Sequence, residues 1–119
     1  MIRLYGIVFS IISLTALAAC VGTAPSASKA EQQAADEAFY KCVETNANAM
    51  DNGRSDASTV AAVVRSACKE QYGRSLAVAA RGLSPAAQQS VFRDMRNADL
   101  EYAVKTVLRL RQQKRITRS

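Results

Sequence analysis

From residue 28 onward, apolar residues recur at spacings of three and four, the period of helices buried along one side. The pattern predicts three helices and no strand. Ser28-Lys29-Ala30-Glu31 matches a capping box, in which the serine hydroxyl accepts from the third helical amide and the glutamate reaches back to the cap. Behind it, Ala35, Ala38, Phe39, Cys42, Val43, Ala49 and Met50 form one apolar stripe, with Glu31, Asp36, Glu37, Lys41 and Glu44 mostly on the other side. Asp51-Asn52-Gly53 is expected to stop helix one, since Gly or Asn accepts a left-handed cap. Helix two follows Ser55 or Asp56 as N-cap. Its stripe is Val60/Ala61, Val64, Cys68, Tyr72, Leu76 and Ala79, and it is expected to run to about Arg81, with Gly82 as its stop. Gly73 falls on the outward face, where it costs about 1 kcal/mol relative to Ala without having to break the helix. A break at Gly73 is the alternative. Ser84 as N-cap and Pro85 at the first helical position open helix three, which is expected to reach about Gln112. Its apolar face is double. Val91, Met95, Ala98 and Tyr102 form one stripe, and Leu100, Ala103, Val104, Val107 and Leu108 form another on nearly the opposite side. Either this helix kinks near Asn97-Ala98-Asp99, or its second half packs on something else, self-association included.

The first 20 residues follow a different pattern. Arg3 and the N-terminal amine precede an uncharged apolar run from Leu4 to Leu17, 14 residues long. As a helix it would span ~21 Å, short of the ~30 Å hydrocarbon core and right for a secretory signal. Small Ala18 and Ala19 follow, then Cys20. Leu17-Ala18-Ala19-Cys20 resembles the lipobox of bacterial lipoproteins, which has an aliphatic residue, two small ones and a cysteine. The resemblance covers only this segment. It implies cleavage before Cys20, thioether lipidation of its sulfur and acylation of the new amine with a palmitate-type chain. Several chains hold a membrane far better than one, at about 0.8 kcal/mol per buried CH₂. Residue 21 is Val rather than the Asp that often retains such proteins at the inner membrane. The expected home is therefore the outer membrane, facing the periplasm, with the periplasmic face of the inner membrane as the alternative. The competing readings are a plain secreted protein and an uncleaved anchor. The domain organisation expected is a signal peptide over 1–19, the lipidated cysteine and a flexible tether of ~15 Å reach over 20–27, and a helical domain over 28–119.

Without the signal, 100 residues remain, enough for one small core. They carry 15 basic against 10 acidic residues, a formal +5. That excess suits anionic lipid, lipopolysaccharide or acidic wall polymers; nucleic acid is not expected for an exported, tethered chain. The chain has three cysteines, an odd number that normally leaves one thiol over. Lipidation of Cys20 resolves this and leaves Cys42 and Cys68 as a pair, in a compartment that permits disulfides. Cys42 lies ~15 Å before the Asn52-Gly53 turn and Cys68 ~18 Å after Asp56. An antiparallel hairpin thus sets both near one height on the inward stripes, as a bridge with Cα atoms about 4.4–6.8 Å apart needs. Buried free thiols and a redox pair are the alternatives, the second without C-x-x-C spacing.

Candidate chemistry is sparse. There is no His, hence neither the commonest general base nor the commonest metal ligand. Ser66-Ala67-Cys68-Lys69 fits S-x-x-K, yet its companion S-D-N and K-T-G elements are missing and it sits mid-helix. Asp51-Asn52-Gly53-Arg54-Ser55-Asp56 loosely fits a calcium loop, but the position for the bidentate Glu is Ala62. The C-terminus is more distinctive. Lys105, Arg109, Arg111, Lys114, Arg115 and Arg118 follow Glu101 with no further acid. They form either a solvated end that complements the helix dipole or an anion-binding arm on a membrane surface or an acidic polymer. The expectation is an all-α, small three-helix bundle on a disulfide-linked antiparallel hairpin. It would act without a cofactor as a non-enzymatic, lipid-anchored envelope protein, through protein contact or self-association. The alternative is an anion binder contacting wall or lipopolysaccharide through its basic end.

Overall fold

A computed structural model describes residues 24–119. The apolar N-terminal run, the lipobox and Cys20 lie outside the described residues. The domain is all-α, with four helices among the described residues: α1 (Lys29–Met50), α2 (Ala57–Ala67), α3 (Lys69–Ala80) and α4 (Pro85–Ile116). Local chemistry sets most of the boundaries. Ser28 and Glu31 form the complete capping box of α1. Asp56 caps α2 by accepting from the amides of Ser58 and Thr59. Ser84 caps α4, with Pro85 in its first turn. The two interhelical turns each use a glycine in the left-handed region, Gly53 at φ 72° and Gly82 at φ 77°.

Three helices were expected and four are present, because helix two is split at Cys68 and not at Gly73. Cys68 leaves helical geometry (φ −96°, ψ 18°), and its amide is shared between the carbonyls of Val64 and Arg65. The physical reason lies in the neighbours. α2 packs chiefly on α4, α3 packs chiefly on α1, and the break lets each aim at its own partner. The cross-link to α1 sits at that joint, with the Cys42 and Cys68 Cα atoms 5.9 Å apart. Gly73 lies inside α3 on an open side, where an added Cβ would meet nothing within 4 Å.

The core follows the i, i+4 row Ala35, Phe39, Val43, Ala47 of α1. It meets Val60, Ala61, Val64 and Cys68 from the second leg and Ala103 and Val107 from α4. Three members of the expected α1 stripe, Ala38, Ala49 and Met50, are exposed. Ala47, absent from that stripe, is fully buried. In α4 the buried residues are Ala103 and Val107 of the second expected stripe together with the polar Asp99 and Thr106 on the side toward the first. The helix runs unbroken to Ile116, and its second half packs on α1 and α2. Leu100 and Leu108 are left on the outside, 39% and 51% exposed. Aromatic contacts knit the middle: Tyr40 lies 4.5 Å from Tyr102 and Phe39 5.7 Å from Tyr72, ring centre to ring centre.

The topology gives the bundle two distinct ends. At one, Ala24–Ser26 lie against Gly82 and Arg81 pairs with Glu31 at 2.9 Å. At the other, the α1–α2 turn meets the last turns of α4. The first three residues of the described tether thus run along the domain surface at the α3–α4 turn. No helix among the described residues is long and apolar enough to cross a membrane.

Candidate functional site

The six cations singled out in α4 do not share one environment. Lys105 pairs with Glu101, one helical turn back, at 2.5 Å. Arg109 pairs with Glu44 of α1. Both pairs are exposed, and such pairs contribute at most about 1 kcal/mol.

Arg111 is different. Its Nη2 donates to Asp51 Oδ1 at 2.7 Å and to the Ser55 carbonyl at 2.7 Å, and its Nε donates to Asp51 Oδ2 at 3.0 Å. The Asp51 side chain is only 1% exposed. The paired hydrogen bonds match the rigid fork of a guanidinium to a carboxylate. They hold the Asp51 carboxyl below its ordinary range, against the opposing effect of burial. Arg111 therefore clamps the C-terminal part of α4 onto the α1–α2 turn and has little charge left to offer a ligand. In the sequence Arg111 looks like its basic neighbours, because its partner Asp51 lies 60 positions away.

Lys114, Arg115 and Arg118 make no ion pair with any described residue. With Arg111 they line a cleft of about 280 Å³ whose other wall is Asp51, Asn52 and Gly53. Local hydrogen bonds hold the turn: Gly53 N–H donates to Asp51 Oδ1, and Asn52 Oδ1 accepts from the amides of Arg54 and Ser55. The Asn52 side-chain N–H groups point to no acceptor among the described residues. The lining thus offers donors and positive charge, while its one carboxylate is spent on Arg111. Chemically it can hold an anion; it presents no nucleophile with a base.

A second feature is interior. Asp99 on α4 is 7% exposed, and its Oδ2, like Gln71 Oε1 on α3, has no hydrogen-bond partner. Burial pushes the Asp99 carboxyl up to about 6, with Arg65 opposing the shift and Asp36 adding to it. Ser75 of α3 donates to Asp36 Oδ1 of α1 at 2.5 Å and is itself 2% exposed. Sequence pattern missed both Ser75 and Asp99, since polar residues on an inward face carry no periodic signal of their own.

A broader groove of about 750 Å³ runs between the start of α1 and the end of α3, past Gln32, Asp36, Tyr40, Val78 and Leu83. It is shallow and of mixed polarity. Among the described residues no group of three or more His, Cys, Asp or Glu side chains is placed to hold a metal ion. No protein-family model, curated protein or solved structure matches this chain.

Proposed function

We propose that this chain is a lipid-anchored, non-enzymatic protein of the cell envelope that acts as an interaction module. The lipobox-like Leu17-Ala18-Ala19-Cys20 supports the anchor and the export route. The disulfide between Cys42 and Cys68 fits an oxidising compartment. The observation that carries the module is the α4 surface. Leu100, Val104 and Leu108 fall on one i, i+4 row, and its two leucines remain exposed while Ala103 and Val107 behind them are buried. Photoreactive benzoylphenylalanine introduced at Leu108 tests the reading, with the exposed Arg74 of α3 as the control position. A discrete adduct at Leu108, to a second copy or to one envelope protein identified by mass spectrometry, is the expected result. Equal labelling at both positions would reject that face as an interface.

A second reading rests on the cleft at the C-terminal end of α4, just beyond Leu108. Lys114, Arg115 and Arg118 lack carboxylate partners among the described residues, which favours contact with an anionic envelope component, wall or lipopolysaccharide.

A further inference from the structure

We propose that the cleft between the α1–α2 turn and the last turns of α4 grips an anionic polymer lying across the compartment from the anchoring membrane. This rests on the second reading above and commits it to a place, a residue set and a ligand class.

Three observations carry it. First, the cations are organised by a distant part of the chain. Asn52 and Gly53 form the facing wall, and the Arg111–Asp51 clamp fixes that wall against α4. A frayed basic tail would have no such counterpart. Second, the lining is rich in donors, and its one carboxylate, Asp51, is engaged by Arg111. Three cations with no ion pair among the described residues, together with the Asn52 side-chain N–H groups, match closely spaced carboxylate or phosphate oxygens. Third, the topology sets the site at the far end. The chain enters the bundle beside Gly82. From there α4 carries Arg118 roughly 50 Å away, at 1.5 Å per residue. Cys20 is only four residues before Ala24, a reach of about 14 Å. Lipid at Cys20 therefore holds the Gly82 end near the membrane and leaves the basic end facing away.

The membrane itself is the poorer occupant. A helix that lies in a bilayer surface needs an apolar face. On α4 around the cleft, only Leu108 and, within residues 112–119, Ile116 are exposed apolar side chains, too few for a continuous face. Individual surface charge pairs are weak. A polymer with repeated anionic groups, met by many anchored copies, gains by multivalency what each contact lacks.

The test is co-sedimentation of the mature protein, purified in non-ionic detergent, with purified peptidoglycan sacculi and separately with phosphatidylglycerol-containing vesicles. Each is run at low and high salt. Two variants are compared. K114A/R115A/R118A removes the site. R74A/R93A/R96A removes the same charge from exposed positions elsewhere. None of these six side chains makes an ion pair with a buried residue among those described; Lys114 lies near enough to Asp51 to act on its charge, so circular dichroism checks that both variants melt like the wild type. The expected result is salt-sensitive binding to sacculi, weakened about tenfold or more in the first variant and retained in the second. Equal loss in both variants would overturn the cleft in favour of general charge. Full retention in the first variant would overturn the cleft while leaving anion binding standing. Binding to vesicles alone would overturn the polymer in favour of the membrane. Absence of wild-type binding to either would remove the second reading itself.

Discussion

Gly82 and Gly53 both occupy the left-handed region, but their surroundings differ. A Cβ on Gly53 would meet nothing within 4 Å, whereas one on Gly82 would meet the Ala24 carbonyl oxygen at 2.8 Å and the Ser26 nitrogen at 2.9 Å. Gly53→Ala should therefore cost only the backbone term, about 1 kcal/mol. Gly82→Ala adds displacement of the N-terminal segment and should cost roughly 2–3 kcal/mol. Chemical denaturation of the two variants checks this, and equal losses would mean the segment does not pack there. Asp99 makes the second residue-scale prediction. Its folded-state pKa is raised by burial to about 6 from an ordinary 3.8. Between those values the folded protein holds a proton that the unfolded chain releases, so this group's contribution to stability falls as pH rises from about 4 to about 6. The charged and titratable groups that act on it are Asp36 and Tyr40 from α1 and Arg65 from α2. Asp99→Asn removes the ionisation. It should raise Tm at pH 7.5 and change it little at pH 4; the same Tm difference at both pH values would rule out a buried charge as the cause.

At the scale of elements, the disulfide joins α1 to the joint between α2 and α3, closing 26 positions of chain. In the chain-entropy picture it should contribute about 3–4 kcal/mol, a large share of what a domain of this size has. Reductant should lower the urea midpoint of the wild type and leave a C42A/C68A variant, already at the lower value, unmoved. An unchanged wild-type midpoint would show that the bridge adds nothing to stability. The helices themselves were largely legible from the chain. Ser28, Asp56 and Ser84 act as caps because the hydrogen bonds involved span three residues at most, and Gly82 ends α3 for an equally local reason. The equal heights of Cys42 and Cys68 also followed from rise per residue alone. The split at Cys68 did not, since it answers to the different neighbours of α2 and α3. Likewise, Ala47 and not Met50 is core because the row that faces the second leg is decided by where that leg lies.

For the whole molecule, the order of helices puts chain entry and basic cleft at opposite ends. A lipid at Cys20 would make the protein a tethered post with its cations outward. Growth with radioactive palmitate should label the wild type and not Cys20→Ser, and the variant should move from the membrane to the soluble fraction. An unlabelled wild type would remove the anchor and the orientation together. The sequence by itself determined the all-α class, the caps and turns, the cysteine pair and the excess of positive charge near the C-terminus. Each of these is fixed by composition or by interactions within a few residues. Only the tertiary structure decided that α4 buries Ala103 and Val107 of its second apolar stripe with Asp99 and Thr106, and leaves Leu100 and Leu108 outside. It alone decided, too, that Arg111 belongs to Asp51 and that Lys114, Arg115 and Arg118 are the cations left over. Those outcomes depend on partners up to 60 positions apart, and no local pattern encodes which face of a helix a distant one will cover.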